Sequence, residues 1–134
     1  MNILLDTHIL LWALSGDPLL PQKARELIED GKNDIFYSVI SLWETELKHI
    51  AHPENLQVSA KEIEEYCKIS GLSLLQLKQN SIFLLHTLNR PETEPPHKDP
   101  FDKILICQSL AENMTFLTHD KLLSGYGLRN VIVT

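Results

Sequence analysis

The feature that most limits how this chain folds lies in its first eight residues, where Ile3-Leu4-Leu5 runs straight into Asp6-Thr7-His8. Three apolar residues are too few for a helix. After them the spacing changes, and Ile9, Leu10, Trp12, Ala13 and Leu14 recur at helical intervals until Ser15-Gly16. A short buried strand that turns directly into a helix accounts for both patterns. In open α/β sheets ligands collect at the carboxyl ends of the strands. Asp6, at the exit of the first strand, is therefore placed either for chemistry or to cap the helix it precedes.

The same alternation continues along the chain. A helix is expected from Pro21 to Asp30 through Ala24, Leu27 and Ile28, ended by Gly31, and a second strand over Ile35 to Ser38. Ser41, three residues before Glu44, reads as a capping box for a helix carrying Leu47 and Ile50 and stopped before Pro53. Ser59 and Glu62 repeat that arrangement for a helix with Ile63, Tyr66 and Cys67, ended by Gly71. Leu74 to Leu77 is expected as a third strand, and Asn80 as the cap of a helix with Ile82, Phe83, Leu85 and Leu88 on its apolar side. Pro91, Pro95, Pro96 and Pro100 then force one long loop. Asp99 opens a helix with Ile104, Leu105, Cys107, Leu110 and Ala111, ending near Asn113. Thr115 to Thr118 is a fourth strand, followed by His119-Asp120 and a short helix to Leu123, and Asn130 to Val133 is a last strand. Strands alternating with helices predict one α/β domain over residues 1–134, with a central parallel sheet of about five strands between two helical layers.

Composition excludes several classes. With 134 residues, 43% of them hydrophobic and 22% charged, the chain reads as a soluble globular domain. Its apolar runs fall short of a membrane span, and Met1 leads at once into the strand, so a cytoplasmic protein with no membrane association is expected. Cys67 and Cys107 sit on apolar helix faces without CxxC spacing and read as core thiols. A net charge of -6 argues against a broad basic surface. The charge is uneven: residues 1–66 hold 12 acids and 5 bases, whereas residues 67–134 hold 6 acids and 7 bases. A phosphate-facing surface would draw on the second half.

Right-handed crossovers carry every strand exit to one edge of the sheet. Four acids occupy such positions: Asp6 after the first strand, Glu44 after the second, Asp102 at the start of a helix, and Asp120 after the fourth strand. Each has a plain alternative as a helix cap or a favourable first-turn charge. If they converge, they repel one another unless a cation neutralises them. An all-oxygen set suits a hard ion, Mg²⁺ or Mn²⁺, and such ions serve phosphodiester hydrolysis. Spacing alone leaves both readings open.

At these residues a resemblance becomes specific. Leu4-Leu5-Asp6-Thr7-His8 with Leu11-Trp12, Ser38, Ser41-Leu42-Trp43-Glu44 with Lys48, His97-Lys98-Asp99-Pro100-Phe101-Asp102-Lys103 with Gln108, and Leu117-Thr118-His119-Asp120 resemble the PIN-domain family, in particular the toxin nucleases of VapBC-type toxin-antitoxin pairs. The HxDPFD segment is the most specific part. The resemblance implies a three-layer α/β/α fold and a Mg²⁺- or Mn²⁺-dependent endoribonuclease. It further implies an antitoxin partner that blocks the acidic pocket, and a homodimer. Asp6 and Asp102 would be the primary metal ligands, with Glu44 and Asp120 completing the catalytic site directly or through water. Thr7, Ser41, Asp99 and Thr118 would hold the carboxylates and waters in place. The chain departs from the family pattern at Lys48-His49-Ile50-Ala51-His52-Pro53 and in the acidic loop containing Glu92 and Glu94, both of which bear on the RNA-facing surface.

Other residues admit simpler roles. His49, His52 and His86 are expected on the surface or in packing. His8, His97 and His119, beside Asp6, Asp99 and Asp120, are placed to touch a phosphate or to hydrogen-bond a carboxylate. Lys48 is expected to pair with Glu44 at i,i+4, and Trp12 and Trp43 to pack as core. An HD-class phosphohydrolase, suggested by His119-Asp120, would need a further aspartate, yet no Asp or Glu follows Asp120. A phosphorelay receiver would need an acidic pair at the first strand and a lysine after the last, and both are missing here. A PIN-like binding module without catalysis is disfavoured because all four acids are present.

Overall fold

The computed structural model describes residues 1–134. Five strands, β1 (Asn2–Leu5), β2 (Asp34–Ser38), β3 (Ser73–Leu75), β4 (Thr115–Thr118) and β5 (Val131–Val133), form one parallel sheet in the order β3-β2-β1-β4-β5. The helices are α1 (Thr7–Ser15), α2 (Gln22–Glu29), α3 (Val39–Ala51), α4 (Ala60–Ile69), α5 (Gln79–Phe83) and α6 (Pro100–Ala111), with 3₁₀ turns at Leu85–Thr87 and Lys121–Tyr126.

The unbroken apolar run at the start of the chain is explained by the central position of β1. Side chains alternate across a strand, so Ile3 and Leu5 join a core with Tyr37, Leu117 and, from α1, α2 and α4, Ile9, Leu10, Ala24, Ile63 and Cys67. Leu4 points the opposite way and joins Phe116, Leu105, Cys107 and Leu123 beneath α6. A strand covered on both faces needs no polar alternation. Both cysteines are buried, which pushes the Cys67 thiol up to about 12 and the Cys107 thiol up to about 11, so each stays protonated as core packing. No helix is long and apolar enough to cross a membrane.

From β1 the chain steps outward to β2 and β3, then returns to place β4 and β5 on the other side. The order in which strands are added therefore reverses between β1 and β4, which opens a crevice at their carboxyl ends. Asp6 and Asp120 follow those two strands.

Several local expectations are corrected. Ser38, not Ser41, caps α3: its Oγ accepts the Ile40 N–H at 2.9 Å, so strand passes to helix with no linker between them. Ser41 lies within α3, and Glu44 is released from any capping box. The third strand is Ser73–Leu75 rather than 74–77, because its partner β2 ends at Ser38, paired with Leu75. Asn80 caps nothing; α5 begins at Gln79 and ends at Phe83. Its apolar residues are also arranged differently: Ile82, Phe83 and Leu85 are exposed, whereas Leu84 and Leu88 pack on the α6 core. The box of Ser59 and Glu62 and the caps at Asp6, Asp99 and Asp120 form as expected.

Candidate active site

Asp6 is the first residue after β1, and its N–H extends the ladder to the Leu117 carbonyl at 2.9 Å. One carboxylate oxygen, Oδ1, accepts the His8 N–H at 3.0 Å and caps α1; the other, Oδ2, accepts the Thr118 hydroxyl at 2.5 Å. Capping and membership of the site are thus compatible, since each uses a different oxygen. Thr118 Oγ1 in turn accepts the Asp120 N–H at 3.0 Å, and Asp120 Oδ1 accepts the Leu122 N–H at 2.9 Å. Asp99 Oδ1 caps α6 through the N–H groups of Phe101 and Asp102, which places Asp102 in the first turn. Glu44 comes from α3. All five acids line one pocket of about 310 Å³, together with His8, Trp12 and His119.

Burial sets the electrostatics. Asp6 is 3% exposed and Glu44 4%, which takes two carboxylates out of water. Burial raises the Asp6 carboxyl above its ordinary value, opposed in part by the bonds from Thr118 and His8. Asp102 is pushed up to about 8, first by burial and then by the negative charges of Asp6, Asp99, Glu44 and Asp120. Lys48 pairs with Glu44 Oε2 at 2.8 Å as expected, while Glu44 Oε1 is buried and has no hydrogen-bond partner. A buried carboxylate oxygen left unpaired is costly. An orphaned oxygen among repelling carboxylates fits a divalent cation, and the oxygen-only donors favour a hard one.

One ring nitrogen of His97 and one carboxylate oxygen each of Asp102 and Asp120 also lie within 4.8 Å of one another. Both nitrogens of His97 are already engaged, however: Nε2 lies 3.2 Å from Asp102 Oδ2, and Nδ1 lies 2.6 Å from the Tyr126 hydroxyl.

The sheet edge brings Asp6, Glu44, Asp102 and Asp120 together. Thr118 touches Asp6, and Asp99 both caps α6 and lines the pocket. Thr7 and Ser41 bond each other at 2.9 Å instead of a carboxylate, bracing α1 against α3 below the site. Trp12, expected in the core, is partly buried there and also lines the pocket, with His8 and His119 at 5.8 and 5.4 Å between ring centroids. Trp43 is 57% exposed and meets Phe101 edge-on. Tyr126 and Arg90 add to the site beyond what the sequence indicates. Tyr126 lies 29 positions along the chain from His97, and no local spacing joins the two.

A family model described as PIN domain matches residues 3–127. None of the curated proteins compared with the chain matches it. Among solved structures, the chain is similar to one in "Crystal structure of VapBC2 from Rickettsia felis bound to a DNA fragment from their promoter", with a TM-score of 0.65 and 20% identity, covering 100% of this chain and 98% of that one. At that identity the likeness is one of fold. The family match, however, takes in β1, the carboxyl edge of the sheet and all four acids gathered there, and on it the chain belongs to the PIN domain family.

Proposed function

We propose that this chain is a metal-dependent endoribonuclease that hydrolyses RNA phosphodiester bonds, and that it is the toxin of a type II toxin-antitoxin pair. PIN domains are nucleases acting on nucleic acid. The observation that carries the reading is the convergence of Asp6, Glu44, Asp102 and Asp120 on one pocket in which Glu44 Oε1 is buried without a partner. Helix caps have no reason to converge in this way.

Asp6 and Asp102 would hold Mg²⁺ or Mn²⁺, with Glu44 and Asp120 contributing directly or through water. Such an ion, when bound, supplies Lewis acidity toward a phosphate oxygen and a more acidic water. The protein's own part is preorganisation. Thr118 fixes the Asp6 carboxylate, Lys48 fixes one oxygen of Glu44, and the cap at Asp99 sets the first turn that carries Asp102. Asp102 holds its proton up to about pH 8 in the metal-free protein and must release it to bind a cation. A groove sharing Glu44 and Asp99 with the pocket continues past Lys48, His52, Lys98 and Phe101, which gives a phosphate backbone cationic neighbours beside the acidic centre.

The antitoxin reading is supported by the VapBC2 assembly that shares this fold. Its counterpart here would be a small protein whose arginine competes for the carboxylates. Exposed Trp43, Leu47 and Ile50 form a stripe along α3 that a second copy of the chain would cover, giving the expected homodimer.

The test is cleavage of a mixed RNA pool by the purified protein with Mg²⁺, Mn²⁺ or EDTA, beside Asp6→Asn and Asp102→Asn. Metal-dependent cutting lost in both variants is the expected result. A folded wild type that binds Mn²⁺ yet cuts no RNA would overturn the assignment. Co-purification with the product of an adjacent small gene, and light scattering for the dimer, test the two partners.

A further inference from the structure

Behind the four acids, a line of side chains, Arg90, Tyr126 and His97, runs from the proline-rich loop to Asp102. His97 is 8% exposed and bonded at both ring nitrogens, Nδ1 to the Tyr126 hydroxyl at 2.6 Å and Nε2 to Asp102 Oδ2 at 3.2 Å. Tyr126 is itself buried and stands edge-on to the imidazole, with ring centroids 5.5 Å apart and planes at 84°. The Arg90 guanidinium carbon lies 5.0 Å from the centroid of the Tyr126 ring. Arg90 is anchored in turn, donating from Nε to the Pro95 carbonyl and from Nη1 to the Leu122 carbonyl, each at 2.6 Å. Gly125 leaves room for it, since a Cβ there would lie 2.4 Å from Nη1.

The direction of these bonds follows from the chemistry of the groups. A neutral imidazole offers one donor and one acceptor, and an ionised carboxylate only accepts. When Asp102 is ionised to hold a cation, Nε2 must carry the ring proton, and Nδ1 must accept the proton of the Tyr126 hydroxyl. The carboxylate thereby selects the tautomer, and the Tyr126 hydroxyl supplies the donor that Nδ1 then needs. His97 then occupies Oδ2 of Asp102 and leaves Oδ1 to the pocket.

The geometry points to His97 as a positioning residue for the Asp102 carboxylate, with Tyr126 holding the imidazole through Nδ1 and Arg90 holding Tyr126 in place. This inference rests on the cation site proposed above. His97 is not itself a ligand in this arrangement, because the nitrogen nearest the site is spent on Asp102.

The experiment is titration of the intact protein with Mn²⁺, reading free ion by electron paramagnetic resonance, for wild type, His97→Ala, His97→Gln, His97→Asn and Tyr126→Phe. Thermal melts confirm that each variant is folded. His97→Ala is expected to weaken Mn²⁺ binding about 10- to 100-fold, the usual effect of losing a group that orients a ligand. Gln places an amide N–H where Nε2 stood and should restore most of the affinity. Asn reaches only the Nδ1 position and should not, and Tyr126→Phe should fall between wild type and Ala. Loss of packing alone would not separate Gln from Asn. Equal affinities for Gln and Asn, or no weakening in any variant, overturn the inference. So does His97→Gln binding as poorly as Ala, which would make the imidazole a direct ligand. A wild type that binds no Mn²⁺ overturns the metal site and this inference with it, whereas a wild type that binds Mn²⁺ no better than its variants overturns the inference alone.

Discussion

Thr118 Oγ1 lies 2.5 Å from Asp6 Oδ2, joining the last residue of β4 to the first residue after β1 across 112 positions of sequence. The hydroxyl donates, because the carboxylate can only accept. Its lone pairs remain to accept the Asp120 N–H at 3.0 Å. One buried side chain thus orders two of the four acids at the point where the strand order reverses.

Thr118→Val keeps the shape and removes the hydroxyl. Asp6 then loses a donor and the Asp120 N–H loses its acceptor, so stability should fall by about 1 to 3 kcal/mol. Metal affinity should fall about 10- to 100-fold. Thr118→Ser should retain most of both. Urea unfolding with parallel Mn²⁺ titration checks the pair, and a Val variant indistinguishable from wild type would remove Thr118 from the site's support.

The repulsion among the carboxylates predicts how stability varies with pH. Asp102 is raised from 3.8 to about 8 in the folded chain, chiefly by burial and then by the neighbouring acids. Between those values the folded protein holds a proton that the unfolded chain has released, so unfolding becomes easier as pH rises. The contribution is fully present below about pH 4 and is lost as pH passes through about 8. In EDTA, the urea midpoint should therefore be lower at about pH 9 than at about pH 5 once other titrations are subtracted using Asp102→Asn. Saturating Mg²⁺ should reverse the trend and release protons on binding near neutral pH. A metal-free midpoint that rises over this range in wild type relative to Asp102→Asn would refute it.

Much of this was legible in the sequence because it is local. The apolar run Ile3-Leu4-Leu5, the capping box at Ser59 and Glu62, and the cap at Asp99 before Pro100 depend on near neighbours. The convergence of the four acids followed from topology, since parallel crossovers deliver strand exits to one edge. Register was less legible. That β3 stops at Leu75 depends on where its partner β2 ends, and that Ser38 caps α3 depends on having no linker between β2 and α3. Helical spacing gives only a face, and Trp12 sits where that face meets the pocket rim. Arg90, Tyr126 and His97 meet only through tertiary packing. The sequence places His97 beside carboxylates, but nothing in its vicinity points to Tyr126.

Asp102→Asn should separate stability from function. The amide removes a carboxyl that burial and four like charges oppose. The metal-free variant should therefore be more stable than wild type above about pH 8, where the wild-type carboxyl is forced to ionise. Its RNA cleavage should fall about 100-fold or more if Asp102 is a principal oxygen donor to the cation, as proposed. Thermal unfolding in EDTA and single-turnover cleavage in Mn²⁺ measure the two effects. A variant less stable than wild type at high pH would show that Asp102 is held by favourable contacts that outweigh the repulsion.

Gly125 gives access to the Arg90 anchor without altering an acid. A Cβ at this position would lie 2.4 Å from Arg90 Nη1, and the guanidinium is the part that can move. Gly125→Ala should expel it from the Leu122 carbonyl and from the face of Tyr126. Hydrogen bonds from a charged group contribute about 1.5 to 3 kcal/mol each, so a loss of roughly 1 to 2 kcal/mol is expected once solvent takes over part of the role. Arg90→Ala should cost about as much, and the double variant should cost scarcely more than either single one, since both act on one contact. Denaturant melts of the three variants give the coupling. Additive losses would mean that Gly125 and Arg90 act separately, and that the space at Gly125 serves some other neighbour.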